Sequence, residues 1–224
     1  FKPYKTNLLE GTSDNSKPYD EIKDVAFKIF KGNDGKPIAW MWYGIAKFEK
    51  QIPVVNEMRC IRLRKENIQI GDESTIGYPK YFKEQRGNSY FIGEVFAVDN
   101  GLIPNARRDY FNQNPATKQF EKVLKPFFNS ELYNLYHYAS KVRSAQKTVS
   151  NFQKKEEEYK EKLNNAGFID TEERETAQKE LEEERAKSLK AQREIDNRRI
   201  VVDENEVLNR VFNVLDITYK HWDF

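Results

Sequence analysis

Residues 24–48 read DVAFKIFKGNDGKPIAWMWYGIAKF. Apolar and polar residues alternate through DVAFKIF, which sets Val25, Phe27 and Ile29 on one side of a strand. Gly-Asn-Asp-Gly-Lys follows, and Asp34-Gly35 at its centre is a hairpin-turn dipeptide. The return run carries Trp40, Trp42 and Tyr43, residues that favour a pleated, half-buried surface. One antiparallel hairpin is therefore expected here, and the neighbouring segments are read outward from it.

Downstream, residues 58–64 (MRCIRLR) form a third expected strand, with Ile61 and Leu63 on one face and Arg62 and Arg64 on the other. Residues 67–71 (NIQIG) are read as its extension beyond a kink at Lys65-Glu66, and PKYFKEQ as a short helix or turn. In SYFIGEVFAVD, Phe91, Gly93, Val95 and Ala97 oppose Ile92, Phe96 and Val98. A helix is expected next, beginning near Asn105.

Composition changes near residue 128. Long stretches follow without Gly or Pro, rich in Glu, Lys, Arg and Gln. Residues 131–168 read as one long helix stopped at Gly167, with Phe168 placed to touch Leu163. Asp170 and Glu173 form a capping box for a second helix running to about Arg199. The short link between them implies an antiparallel hairpin. Its seam is thin: Leu132, Leu135, Ala139, Val142, Val149, Tyr159 and Leu163 against Ala177, Leu181, Ala191 and Ile195. A last amphipathic helix is expected from Asp203, boxed with Glu206, with Val207, Leu208, Val211, Phe212, Leu215, Tyr219 and Trp222 on one face.

The expected fold class is thus α+β. A mixed sheet of four to five strands with helices on one face (residues 18–128) follows a linker (1–17). A helical hairpin (129–202) and a terminal helix (203–224) complete the chain.

The bulk chemistry excludes several functions. Cys60 is the only cysteine and His137 and His221 the only histidines, so neither a disulfide nor a thiolate or histidine metal centre is expected. A reducing, cytoplasmic setting is the default expectation. No apolar run approaches the roughly 20 residues that span a bilayer. Net charge is +2, with a third of the residues charged, which calls for neither a nucleic-acid nor an acidic partner.

One stretch stands apart. Residues 102–111 read LIPNARRDYF. With Asn105 as a cap, Arg107 and Arg108 would occupy a first helical turn, where acids are preferred. Such a helix start binds anions, so the pair suits a phosphate-like ligand. The plainer alternative is a solvated pair with one arginine bridging to Asp109. A second basic candidate is Arg59, Arg62, Arg64 and Lys65 on one strand, joined by Lys141, Arg143 and Lys147 on the first long helix; a solvated polar face accounts for both. No Gly-rich phosphate loop, nucleophile elbow or metal-ligand spacing occurs.

The order of a Trp42-Tyr43-Gly44 strand, then CIRLRKENIQIGD (60–72), then YFIGEVFAVDNGLIPNARRDYF (90–111) resembles the middle, or transducer, domain of GHKL-superfamily ATPases, nearest to the HtpG-like heat-shock chaperones. The likeness spans about residues 18–125. It implies the fold of the second domain of small-subunit ribosomal protein five. It also implies that Arg108, with Asn105 and Asp109 beside it and Arg107 less directly, contacts the γ-phosphate of ATP held with magnesium in a preceding domain. The acid-Asn box and the Asp-x-Gly-x-Gly loop of such a domain are absent here. The segment alone is therefore expected neither to bind ATP tightly nor to hydrolyse it, and the full-length protein is expected to be an ATPase. The hairpin differs from the chaperones and is similar to coiled-coil arms of other superfamily members, which suits a second copy or a protein partner. Transducers of MutL and the gyrase B subunit act on DNA, which keeps a nucleic-acid reading as the alternative.

Overall fold

The computed structural model describes residues 4–11, 16–165, 167–202 and 205–215, without the side chains of 199–202. The chain divides into two compact units, residues 1–139 with 210–224, and residues 140–209.

The first unit is α+β and is built on a mixed five-stranded sheet. Strands β1 (Asn7–Leu9) and β2 (Pro18–Glu21) pair as a small separate ribbon. The main sheet comprises β3 (Asp24–Lys31), β4 (Pro37–Ile45), β5 (Cys60–Lys65), β6 (Ile68–Ile70) and β7 (Ile92–Ala97), in the order β3-β4-β7-β5-β6. All neighbours are antiparallel except β5 and β7, which run parallel. The β3–β4 turn forms as its sequence demands: Gly35 takes φ 77°, and Lys36 N–H donates to Asp34 Oδ1 at 3.1 Å.

Strands β5 and β7 are buried on both faces, and β3 orients in a way its sequence does not announce. Ala26 and Phe30 are buried, whereas Phe27 is 71% and Ile29 60% exposed. The buried face continues through Met41, Tyr43, Ile61, Leu63 and Val95. Helix α1 (Pro115–Phe127) packs on it, with Phe127 edge-on to Phe30 at 5.4 Å and to Tyr43 at 6.0 Å. On the opposite face Trp40 stacks on Phe96 at 4.2 Å, and Tyr4 meets Trp42 edge-on at 4.7 Å.

Two expectations are corrected. The segment 67–71 does not extend β5; the chain reverses at Glu66 and Asn67, and β6 runs back antiparallel to β5. Both turn residues have positive φ, 51° and 68°, the requirement of a tight two-residue hairpin turn. Nor does a helix begin at Asn105. Helix α1 starts at Pro115, where Asn114 Oδ1 accepts Thr117 N–H at 2.9 Å. Proline at the first helical position behind an Asn cap is a stronger start signal than Pro104-Asn105, because proline's missing N–H costs nothing there.

A π-helical turn (Phe128–Leu132) joins α1 to α2 (Tyr133–Asn164), which runs on into the second unit. Helix α3 (Thr171–Val202) opens with Asp170 Oδ1 accepting Glu173 N–H at 2.7 Å, while Glu173 accepts Ile169 N–H at 2.8 Å. Phe168 rests on the Tyr159 ring at 5.5 Å, and Leu163 is left 40% exposed. Helix α4 (Glu206–Val214) is capped by Asn205, whose Oδ1 takes the N–H groups of Val207 and Leu208 at 3.1 Å each. Asp203, Tyr219 and Trp222 lie outside the described residues. Val211, Phe212 and Leu215 are buried, and Arg210 ties α4 to β3 through Asp24 and the Val25 carbonyl. No helix among the described residues is long and apolar enough to cross a membrane.

Candidate functional site

The LIPNARRDYF segment closes on itself as a short hairpin loop. Pro104 bridges antiparallel to Phe111, Asn105 N–H donates to Tyr110 C=O at 2.8 Å, and Asn112 N–H to Ile103 C=O at 2.9 Å. A turn closes the tip, with Arg108 N–H donating to Asn105 C=O at 2.9 Å. Arg108 then enters the left-handed region at φ 55°, a conformation that favours glycine or asparagine. Its carbonyl accepts Gly71 N–H at 2.6 Å, which fixes the backbone from both sides.

Asn105 is therefore a brace for the loop. Its Nδ2 donates to Asp109 Oδ1 at 2.6 Å, and its Oδ1 is buried without a partner among the described residues. Asp109 is thus engaged by Asn105, and the arginine–Asp109 bridge does not form. Arg107 and Arg108 are exposed, and among the described residues neither guanidinium has a hydrogen-bond or ion-pair partner.

The two arginines border a cleft of about 510 Å³ that also takes in Gln69, Asp72, Thr75 and Lys80. Lys80 is held in place: Nζ lies 2.8 Å from Glu121 and 3.1 Å from the centre of the Tyr110 ring. Tyr110 and Tyr81 share a 2.5 Å hydroxyl contact, and burial raises both phenols above their ordinary pKa. The hydroxyl and N–H of Ser74 lower the Asp72 carboxyl, keeping it ionised and turned into its own loop. Three cations thus face this cleft against Asp72 and Asp109, and both acids are engaged locally.

The basic residues on β5 and just before it are turned to acceptors within the protein instead. Arg59 Nη1 and Arg62 Nη2 reach Glu73 at 3.0 and 3.1 Å, and Arg64 Nε reaches Glu94 at 2.5 Å. Lys65 donates to the Asp99 carbonyl at 2.9 Å. Arg62 is only 5% exposed, so this side of β5 presents no solvated basic stripe. Lys141 and Lys147 are exposed on α2 in the second unit, while Arg143 between them is half-buried and engaged. Cys60 is buried, which pushes its thiol up to about 11, far from the thiolate form a nucleophile needs. Among the described residues no group of three or more His, Cys, Asp or Glu could hold a metal ion.

Gly71, Lys80 and Tyr110 belong to this site and were not singled out from sequence. Only Gly71, a glycine closing the alternating run NIQI, left a local signal. No family model, no curated protein and no solved structure matches this chain.

Proposed function

We propose that this chain is the nucleotide-reading middle segment of a GHKL-type ATPase, in which Arg108 is delivered to the γ-phosphate of ATP bound by a preceding domain. The observation that carries the reading is the left-handed Arg108 at a braced loop tip, with no partner for its side chain among the described residues. A glycine would hold that backbone conformation at lower cost. An arginine there makes sense if its guanidinium works on something outside the loop. Negative charge on a transferring phosphoryl group is the matching chemistry, and a cation brought by domain closure acts only in the closed state. Arg107 supports the local positive field, and Asn105 with Asp109 holds the loop shape. ATP and magnesium belong to the preceding domain in this scheme, and the sheet of the first unit corresponds to the second domain of small-subunit ribosomal protein five.

The second unit serves as a projecting arm. We read α2 and α3 as an antiparallel hairpin, supported by the ion pairs Lys155–Glu184 and Lys162–Glu173, each at 3.7 Å. Its charged surface suits a protein partner or a second copy.

The test is Arg108→Ala in the protein that includes the preceding domain. Turnover of ATP should fall by about 10²–10³-fold, the usual effect of losing one such donor, while nucleotide affinity is kept. Arg107→Ala should fall much less. Unchanged turnover in Arg108→Ala removes the residue from the mechanism. A preceding sequence without the acid-Asn box and the Asp-x-Gly-x-Gly loop ends the ATPase reading altogether.

A further inference from the structure

We propose that the cleft floored by Arg59 and Arg62 is a docking site for a carboxylate of a partner polypeptide, and that Glu73 occupies it as an internal stand-in. This cleft, of about 600 Å³, is separate from the Arg107–Arg108 cleft, and the Asp72–Ser74 turn contributes to the walls of both.

The cations are built in and the anion is not. Arg62 is 5% exposed and is anchored by donating Nη2 to the Glu57 carbonyl at 2.9 Å. Arg59 is steadied by Nη2 donating to Ser89 Oγ at 2.9 Å, and Ser89 is itself buried. Glu73 stands on a short surface loop, and its side chain is 34% exposed. The fixed half of the ion pair thus sits on β5 and just before it, and the replaceable half is a side chain on a loop whose backbone Asn88 Nδ2 holds by donating to the Glu73 carbonyl at 3.1 Å.

The stoichiometry is also unequal. Two guanidinium groups share one carboxylate, at 3.0 and 3.1 Å. Asp72, the other acid lining this cleft, spends its Oδ1 on the N–H and hydroxyl of Ser74. The Nε groups of both arginines are buried without an acceptor among the described residues. Each such orphaned donor is costly, and it leaves the pair with more donors than the single Glu73 carboxylate accepts. Glu73 already shows which acceptor the pair takes. The planar guanidinium fork matches a carboxylate, and two forks converging on one are a recognition device for acidic side chains and chain ends. Tyr78, more than half exposed, and Gln85 line the cleft beside them and offer contact to the rest of a peptide.

Glu73 competes with any incoming carboxylate, so apparent affinity is reduced by the fraction of time it is in place. The test uses N-acetylglutamate as probe, at constant ionic strength, with the Nε–Hε resonances of Arg59 and Arg62 followed by NMR on the 224-residue chain. Glu73→Gln should bind at least about tenfold more tightly than the native chain, with saturable shifts of both resonances. Adding Arg59→Gln should abolish that binding. Equal affinity in the native chain and Glu73→Gln overturns the proposal, as does binding that survives Arg59→Gln. Inorganic phosphate binding more tightly than N-acetylglutamate overturns the carboxylate assignment. If circular dichroism shows Glu73→Gln unfolded, Glu73→Asp takes its place. That shorter acid should also bind the probe more tightly than the native chain, and equal affinity again overturns the proposal.

Discussion

Arg108 and Gly71 face each other across a 2.6 Å hydrogen bond, and both sit at positive φ, 55° and 64°. For glycine that conformation is free; for arginine it costs about 1–2 kcal/mol. Arg108→Gly should therefore stabilise the fold by about 1 kcal/mol or slightly less, since glycine's freer unfolded chain offsets part of the gain. On the ATPase role proposed above, the same change should depress turnover as strongly as Arg108→Ala. Urea denaturation and a turnover assay read the two effects separately, and loss of stability would remove the strain argument. Gly71→Ala runs the other way. A Cβ there would lie 1.9 Å from Thr75 Oγ1 and 2.6 Å from the Asp109 carbonyl oxygen. The backbone oxygen cannot step aside cheaply, so the variant should lose about 1–3 kcal/mol in the same denaturation experiment. A neutral Gly71→Ala would mean that the loop is not clamped as described.

At the scale of elements, β3 makes the sharpest contrast. Phe30→Ala should cost about 3–5 kcal/mol, because Phe30 is 4% exposed and packs on Phe127 of α1. Phe27→Ser, three residues earlier, should cost less than about 1 kcal/mol, the scale of its cross-strand contact with Trp42. Thermal denaturation of the two variants settles which face carries the core. That choice was not legible in DVAFKIF. Period-two alternation defines two faces, and Val25, Phe27 and Ile29 form the more apolar one, yet the face with Ala26, Lys28 and Phe30 meets the partner helix and carries the core. The β3–β4 turn was legible, because Asp34-Gly35 has few other conformations to adopt. The β5–β6 reversal was not, since Glu66-Asn67 takes a glycine-type turn without glycine. The arginine pair stood out in the sequence, but its mounting on a hairpin loop depends on Gly71, which is far away in sequence. The anchoring of α4 was equally hidden, because Arg210 and Asp24 lie at opposite ends of the chain. The Arg210 guanidinium lowers the Asp24 carboxyl. A carboxyl depressed in the folded state adds stability above its unfolded pKa, near 3.9, and that contribution disappears as pH falls through the folded value. Both groups are about a third exposed, so the effect is small. Asp24→Asn should accordingly reduce stability slightly at neutral pH, and the difference should vanish once the pH has fallen through the lowered folded value. A loss that persists in acid would mean that Asp24 acts through packing.

Across the whole molecule the two units differ in what can hold them folded. The first has a continuous apolar interior running from Ala26 and Phe30 through the sheet to Leu124 and Phe128. In the second, no described residue between 146 and 187 is buried, and the buried positions, Val142, Ala145, Ser188 and Ile195, lie outside that stretch. Helix propensity, the Asp170–Glu173 cap and surface ion pairs are what remain for residues 150–185, and each is worth a fraction of a kcal/mol to about 1. Local opening there needs far less free energy than unfolding the sheet. If the gap is about 4 kcal/mol, amides in 150–185 should exchange with solvent roughly 10³-fold faster than those of β4 and β7. Hydrogen exchange read by mass spectrometry measures this directly, and uniform protection along the chain would contradict the division of stability. Repeating the measurement over a range of protein concentrations addresses the role proposed for the arm. A second copy pairing along α2 and α3 would cover this stretch and slow its exchange as concentration rises. Exchange that stays fast at every concentration would leave the exposed arm to a different protein, and would count against self-association as its purpose.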